Sequence, residues 1–192
     1  MSLNSTQYEL KTLSNHSTSI PIVTPQIKHT NNVSTPEWMI LMDTYLSSTV
    51  KKFELYTELY GWHAEHARLT KGRVAGQLFS TAAAQHSDVL VVLPAGIYIP
   101  TLETKMNSGT NIKGIVIVRI GNIGNQNLKL QTIAYTNCKI EWIQQQLDEL
   151  IISFRPTNRL STIYKYNQAG RHQGQSVSFF DYTTGSGVGV AV

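Results

Sequence analysis

Short apolar runs, separated by turns rich in Gly, Asn and Pro, give the second half of the chain its clearest pattern. Residues 88–94 (Asp-Val-Leu-Val-Val-Leu-Pro) form one such run, and a Pro-Ala-Gly sequence ends it. Two further runs, 114–120 and 128–135, flank a stretch of Gly and Asn residues at 121–127, and these residue types tolerate the positive φ of tight turns. The pattern therefore predicts a buried strand and, farther along, a β-hairpin.

Later apolar runs predict more strands, with one ambiguity. Strands are predicted over residues 138–142, 150–154, 161–166 and 177–182. Residues 141–150 also fit a helix, because Ile143, Leu147 and Leu150 lie at helical spacing. Beyond these strands, the Gly-rich residues 185–189 predict a flexible C-terminal tail.

The region from residue 37 to residue 67 permits two interpretations. Trp38–Met42 fits the start of a strand or of a helix. Residues 53–60 alternate apolar with polar or aromatic side chains, and their aromatic content favours a strand. Leu46, Val50 and Phe53 lie at helical spacing, so the helical alternative stays open.

One short helix is predicted over residues 101–109. Pro100 and Thr101 begin it, Leu102 and Met106 lie four positions apart on one face, and Gly109 ends it. Many short strands at regular spacing with a single helix are typical of an antiparallel β-barrel or β-sandwich. The predicted fold class is therefore mainly β, with an extended N-terminal arm.

The chain divides into an arm and a single domain. Residues 1–35 are dominated by Ser, Thr, Asn and Gln, with Pro21 and Pro25 as breakers, and they predict a polar N-terminal arm. Residues 36–192 form the predicted β-barrel domain, which ends in the flexible tail. Its length suffices for one hydrophobic core.

Composition narrows the classes of function. Only 15% of the 192 residues are charged, and the net charge of +4 is spread along the chain rather than concentrated, so nucleic acid is an unfavoured partner. The start of the sequence lacks the pattern of a secretory signal, and its apolar runs are too short to span a bilayer. We expect a protein that is cytoplasmic on synthesis and does not insert into membranes.

Candidate chemistry is sparse. His63 and His66 lie close in sequence, but on a strand their odd spacing places them on opposite faces, and His86 is the only further histidine nearby. Cys138, the single cysteine, lies within a predicted strand, where a cysteine usually packs as a small apolar side chain. Gly185 and its neighbouring glycines have no room for the helix that a phosphate loop requires. The sequence predicts no catalytic residues, no metal site and no cofactor.

In its order of elements, the chain resembles the tail-tube family, which includes phage tube subunits and the haemolysin-coregulated protein of type VI secretion. The resemblance covers about residues 38–184 and runs through the following segments: 39–46, 53–60, Gly72 and Gly76, 89–93, the helix 102–109, 115–120, 128–135, 151–154, 162–166 and 177–182. It implies a closed β-barrel subunit that forms homohexameric rings, which stack into a hollow tube. It also implies sheath, spike or effector proteins as further partners. The protein would then be assembled into a particle or secreted without a signal peptide.

Aromatic residues within strands are explained by core or interface packing before ligand stacking. The predicted subunit interface consists of Phe53, Leu55, Tyr56, Leu102, Met106, Tyr164 and Tyr166. Two alternative functions stay open. The polar arm, 1–35, is also typical of a viral or phage coat-type β-sandwich, and the three tryptophans could serve as platforms in a small-ligand or carbohydrate-binding β-sandwich: Trp38, Trp62 and Trp142.

Overall fold

The computed structural model describes residues 37–42, 52–68 and 84–191. Within these ranges the chain forms strands and a single helix in the following order: β1 (Trp38–Met42), β2 (Thr57–Glu58), β3 (Gly61–His63), β4 (His66–Arg68), β5 (Ala84–His86), β6 (Val89–Pro94), α1 (Ile99–Ser108), β7 (Ile112–Ile123), β8 (Gln126–Gln146), β9 (Glu149–Arg155), β10 (Asn158–Tyr166), β11 (His172–Asp181) and β12 (Ser186–Ala191). The predicted arm, residues 1–35, lies outside the described residues, as do Gly72 and Gly76.

Two antiparallel sheets share one long strand. The first sheet has the order β12-β11-β10-β8-β7-β1-β2, and the second has the order β3-β6-β9-β8. The N-terminal part of β8 pairs with β7 up to Cys138, and from Lys139 onward β8 pairs with β9. A separate two-stranded ribbon joins β4 and β5. The expected fold class, a mainly β antiparallel barrel or sandwich with one short helix, is confirmed.

β8 changes sheets at Asn137, whose backbone has a left-handed φ of 52°. The Asn137 side chain fixes this bend from both sides: its Oδ1 accepts a hydrogen bond from Asn111 Nδ2 at 2.8 Å, and its Nδ2 donates one to Thr157 Oγ1 at 3.1 Å. Asn adopts left-handed backbone more readily than other non-glycine residues. This residue type therefore suits the point where one strand must enter a second sheet.

On the opposite side, the sheets are bridged by the residues between β2 and β3. Leu59 N–H donates to the Trp38 carbonyl of the first sheet, and Tyr60 N–H donates to the Val92 carbonyl of the second. The pairing is not one uninterrupted ladder, so the fold lies between a sandwich and a barrel. The shared strand, β8, and the bridge formed by Leu59 and Tyr60 together hold the two sheets face to face.

The main core lies between the two sheets. Apolar side chains from both inner faces fill it, among them Ile40, Val91, Ile117, Ile133 and Ile152, all fully buried. Such burial contributes roughly 1.5–3 kcal/mol for each large aliphatic side chain. The core therefore supplies the main stabilisation of the subunit.

Helix α1 packs against this core through the fully buried Leu102. It begins at Ile99, two residues before the predicted start, with Pro100 in its first turn. Gly109 ends it in left-handed conformation and donates its N–H to the Met106 carbonyl. The predicted helix is therefore present with nearly the expected bounds.

Two ambiguous segments are strands or turns where the structure describes them; Leu46 and Val50, on which the helical alternative for the first segment depends, lie outside the described residues. In the region from 37 to 67, the described residues form β1 to β4 and no helix. However, the predicted strand over 53–60 is wrong in its first half. Residues 53–56 form a turn, in which Tyr56 N–H donates to the Phe53 carbonyl. The turn lets Phe53 pack inward as part of a small buried cluster. The helical alternative for 141–150 is wrong, because β8 continues to Gln146 and β9 begins at Glu149.

The prediction of a flexible C-terminal tail is also wrong. Residues 186–191 form β12, which pairs with β11 from Ser186 to Ala191. Gly187 makes this approach possible: a Cβ at this position would lie 2.8 Å from the Phe180 ring and 3.0 Å from the Phe179 carbonyl oxygen. Glycines that suggested a loose tail instead permit close packing of a strand.

Substitution of Asn137 tests the bend in β8. Asn137→Ala loses both side-chain hydrogen bonds and keeps the unfavourable left-handed φ, so we expect it to lower the free energy of unfolding by about 2 kcal/mol. Asn137→Gly loses the same hydrogen bonds but tolerates the backbone, so the expected loss is about 1 kcal/mol. Urea unfolding measures both values. An equal loss in the two variants would mean that the left-handed backbone has no energetic role.

A candidate assembly surface

The core ends at β8, although the first sheet continues for three more strands. One inner row of directly opposed residues crosses the sheet from β1 to β12: Ile40, Ile117, Ile133, Ser161, Ser178 and Gly189. The three isoleucines are fully buried, whereas Ser178 and Gly189 are exposed. Because the row changes from Ile to Ser and Gly after β8, β10 to β12 do not belong to the sandwich interior.

The outer side of the first sheet has the opposite polarity. The outer row next to the inner one is apolar from β1 to β12: Leu41, Val116, Ala134, Leu160, Phe179 and Val188. The neighbouring outer row also lacks charge: Met39, Val118, Thr132, Thr162, Val177 and Val190. The outer side is therefore the more apolar side of β10, β11 and β12.

Part of this outer side is covered by the turn that precedes β2. Phe53 packs there with Met39, Val118 and Ile120 in a second buried cluster, and Tyr56 packs against its edge. The turn therefore covers the part of the outer side that β1 and β7 form. The β10 to β12 end has no such cover within the described chain.

We define the apolar face as the exposed outer residues of β10 to β12, namely Leu160, Phe179, Val188 and Val190, with Val177 between them. Leu160 and Phe179 are each 41% exposed, Val190 is 54% exposed and Val188 is 66% exposed. Contiguous apolar surface of this kind is rare on monomers and typically marks an interaction site. The apolar face is therefore the strongest candidate for a functional surface.

An aromatic strip borders the apolar face. The Lys129 ammonium lies 5.9 Å from the Phe53 ring centroid and 5.7 Å from that of Tyr56. Tyr166 Oη donates to the Lys129 carbonyl, and the Tyr166 ring lies 6.5 Å from that of Tyr164. These contacts connect the turn before β2 with the end of β10 along one side of the sheet.

The aromatic strip contains four of the seven predicted interface residues: Phe53, Tyr56, Tyr164 and Tyr166. A fifth, Leu55, lies in the turn that carries Phe53 and Tyr56. Leu55 is 67% exposed, but Phe53 is buried within the subunit. Leu102 and Met106 lie on α1 against the main core, away from this strip. Their participation in an interface stays a prediction, and Leu102 has no exposed surface for a neighbour.

The sequence interpretation missed the apolar face itself. Its signal is present in the sequence as alternation, because Val177 and Phe179 in β11, and Val188 and Val190 in β12, each lie two positions apart. That period marks one face as apolar, but it does not reveal whether the face points into the core or out of it. Only the end of the core at β8 decides this.

The structure pairs His66 with His86 across β4 and β5. His63 lies in β3, where its Nε2 is 4.0 Å from Glu65. His66 and His86 face each other across the β4–β5 ribbon with their Nδ1 atoms 2.7 Å apart, so that one ring donates to the other. Among the described residues, no group of three or more His, Cys, Asp or Glu side chains could hold a metal ion.

Aromatic rings of the β11 end surround this histidine pair. The His86 ring lies 4.4 Å from that of Phe180 and 4.6 Å from that of Tyr182. Desolvation, together with electrostatic repulsion from Arg159 and from the neighbouring His86 ring, lowers the pKa of His66 to about 4. Desolvation and Arg159 also lower the pKa of His86. The pair is therefore a neutral contact that attaches the ribbon to the first sheet.

A polar groove of about 520 Å³ lies beside this pair, at the bend of β8. Three of its charged residues contact one another: Arg155 lies 2.9 Å from Asp88 and 3.9 Å from Glu141. Asn137 in its wall holds the bend. The groove therefore has a structural explanation in the contacts that join the two sheets.

Other candidate groups have structural roles. Cys138 is fully buried, and burial raises the pKa of its thiol to about 12, so the reactive thiolate is suppressed. Trp38 and Trp62 pack edge to face with their ring centroids 5.5 Å apart, and Arg119 lies over Trp38. Two of the three proposed ligand platforms are thus engaged with each other. No helix in the described part of the chain is long and apolar enough to span a bilayer.

Comparison with known proteins shows the fold. No family model and no curated protein matches the sequence. Among solved structures, a type six secretion system protein matches with a TM-score of 0.70 and 15% identity over 80% of this chain and 100% of that chain. Hcp1 from Salmonella typhimurium matches with a TM-score of 0.58 and 11% identity, covering 79% of this chain and 97% of that one.

A type VI secretion system effector from Yersinia pestis is similar as well, with a TM-score of 0.55 and 17% identity over 75% of this chain and 98% of that chain. At such low identity these matches show a shared fold. The likeness to tail-tube-type proteins that the order of elements predicted is therefore confirmed at the level of the fold.

Titration of the histidine pair predicts a pH dependence of stability. The folded pKa of His66, about 4, lies below the value of about 6.5 in the unfolded chain, so the unfolded state binds more protons between these values. The stabilisation by the neutral pair is complete above about pH 6.5, and we expect the free energy of unfolding to fall as the pH drops toward 4.

Urea unfolding at several pH values measures this dependence. His66→Gln serves as the matched variant, since it removes the titrating ring, and its stability should fall less between about pH 6.5 and pH 4. Parallel losses of stability in wild type and variant would exclude His66 as the cause.

Proposed function

We propose that this protein is a structural subunit that assembles with copies of itself into rings, which stack to form the inner tube of a contractile injection or secretion apparatus. The shared fold with a type six secretion system protein and with Hcp1 supports this proposal. The proposal includes homohexameric rings, partners among sheath, spike or effector proteins, and assembly into a particle or secretion without a signal peptide.

The single observation that carries the proposal is the apolar face. Leu160, Phe179 and Val188 are opposed across three strands, and all three are more than 40% exposed. A sheet whose inner side is polar and whose outer side is apolar gains stability when a second body covers its outer side. Contact with another copy through this face supplies such a cover.

The absence of charge on this face suits a permanent contact. Interface cores are depleted of charged residues, because their desolvation is costly. None of the twelve positions in the two outer rows is charged. A tube subunit of this kind acts through its shape and its contacts, so no catalytic group enters the proposal.

Substitution at the centre of the apolar face tests the proposal. Phe179 is opposed to Leu160 on one side and to Val188 on the other, so Phe179→Asp places a charge in the middle of the proposed contact. We expect wild type to form rings in negative-stain electron microscopy. The variant should need a roughly thirtyfold higher protein concentration to assemble, which corresponds to a loss of about 2 kcal/mol of binding free energy per contact. Light scattering coupled to size exclusion measures the mass of each species.

Ser178→Asp is the matched control. It introduces the same charge one residue away, on the exposed inner side of β11. We expect this variant to assemble as wild type does. A monomeric wild-type protein across the accessible concentration range would contradict the proposed function, and equal behaviour of the two Asp variants would contradict the role of the apolar face.

A further inference from the structure

A positively charged side chain lies where the β4–β5 ribbon meets the first sheet. Arg159 in β10 is directly opposed to Tyr135 on one side and to Phe180 on the other. Because Tyr135 belongs to the main core, this row lies on the inner side of the sheet. His86 of the ribbon packs on Phe180, with ring centroids 4.4 Å apart. The Arg159 cluster consists of the following side chains: Arg159, Tyr135, His66 and His86.

The positive charge of Arg159 is not balanced within the cluster. Among the described residues, no carboxylate forms an ion pair with it. The acidic residues on the neighbouring segments have other partners: Glu65 faces His63, Asp88 faces Arg155, and Asp181 accepts a hydrogen bond from Thr183. A guanidinium stays charged in proteins, and its partial burial without a counter-charge is unfavourable. An anion beside Arg159 would offset this cost.

Three buried polar atoms of the cluster also lack an aligned hydrogen-bond partner among the described residues: Arg159 Nε, Tyr135 Oη and His86 Nε2. Such atoms are usually paired, since an unpaired one costs about 1–3 kcal/mol. The Arg159 and Tyr135 atoms are donors. His86 Nε2 is a donor as well when its Nδ1 accepts from His66.

Electrostatic effects show that the three atoms lie near one another. Burial and the Arg159 charge lower the pKa of His86. Burial raises the pKa of Tyr135, and the Arg159 charge opposes that rise. The donors come from three strands, β10, β8 and β5, so they approach a common acceptor from different directions.

The cluster is open to small ions. Arg159 and His86 are half-buried, and His66 is exposed. A guanidinium presents two parallel N–H donors that match two oxygens of one oxyanion. Further donors outside that plane suit a tetrahedral group, which directs oxygens to several sides, better than a planar carboxylate.

We propose that the Arg159 cluster binds a small tetrahedral oxyanion of the phosphate or sulfate class between the ribbon and the first sheet. Arg159 supplies the charge, and the Tyr135 hydroxyl and a His86 N–H supply directional hydrogen bonds. The site lies on the inner side of the sheet, opposite the apolar face, so it is independent of the proposed assembly. A bound anion also connects the ribbon to β8 and β10.

Calorimetric titration of the full chain tests the proposal. Sodium sulfate and inorganic phosphate are the probes, at an ionic strength held constant with sodium chloride. We expect saturable one-to-one binding with a Kd of about 1 mM or lower. Arg159→Gln removes the charge and should raise this Kd at least about tenfold.

Lys165→Gln is the matched control. It removes the same charge from β10, at an exposed position outside the cluster. We expect this variant to bind sulfate as wild type does. Equal weakening by the two variants would indicate attraction by net charge alone and would overturn the proposal.

Tyr135→Phe keeps the test decisive if Arg159→Gln fails to fold. It removes only a hydroxyl without an aligned partner, so urea unfolding should show a protein at least as stable as wild type. The affinity for sulfate should nevertheless fall about fivefold, because one hydrogen bond to the anion is lost.

Three further outcomes would overturn the proposal. Wild type could show no saturable binding of either probe, or Tyr135→Phe could bind sulfate as tightly as wild type. Sodium acetate could bind as tightly as sulfate, which would exclude the preference for a tetrahedral group. None of these results affects the proposed function, which depends on the other side of the sheet.

Discussion

The structure depends on one strand that belongs to two sheets. β8 pairs with β7 and β10 in its first part and with β9 in its second, so its bend at Asn137 decides how the two sheets face each other. Two side-chain hydrogen bonds and a left-handed backbone fix that bend. Because the main core forms between the sheets, its packing depends on the angle that this bend sets.

The same strand marks the limit of the core. Up to β8 the inner side of the first sheet is filled by isoleucine, and beyond it the inner side carries Ser161, Ser178 and Gly189. The apolar side chains of β10 to β12 lie on the opposite side. A sheet that reverses its polarity in this way cannot satisfy both halves within one small domain. In the proposed assembly a neighbouring copy would cover the outer half, which has no apolar cover among the described residues.

Much of the fold is predictable from local sequence. The hairpin of β7 and β8, the strand β6 and helix α1 all arise from strong local signals: apolar runs, a Gly-Asn turn, and a proline and a glycine at the helix ends. Where a segment fits both the helical and the strand period, its own sequence does not decide between helix and strand. Residues 141–150 are such a segment. There the neighbouring strand, β9, makes the choice, and a pairing partner is not a property of the segment itself.

Errors in the prediction have a common physical origin. The Gly-Val alternation of residues 186–191 indicates a loose tail when it is taken alone, but Phe180 on the next strand provides a surface that only a glycine can approach closely. The sequence predicts a strand at Phe53, but Phe53 packs against Met39 and Val118 from a turn. Likewise, no local pattern reports that the apolar face points outward. Each of these features depends on residues that are distant in the chain.

The pairing of β1 with β7 has a consequence for how the chain folds. The ion pair between Glu37 and Arg119, at one end of this pairing, joins residues 82 positions apart, whereas β7 and β8 are consecutive strands joined by a tight turn. Closure of long loops is entropically unfavourable and slows folding, so short-range hairpins form before remote strands dock. We therefore expect the consecutive strands from β7 onward to nucleate the domain, with β1 docking late.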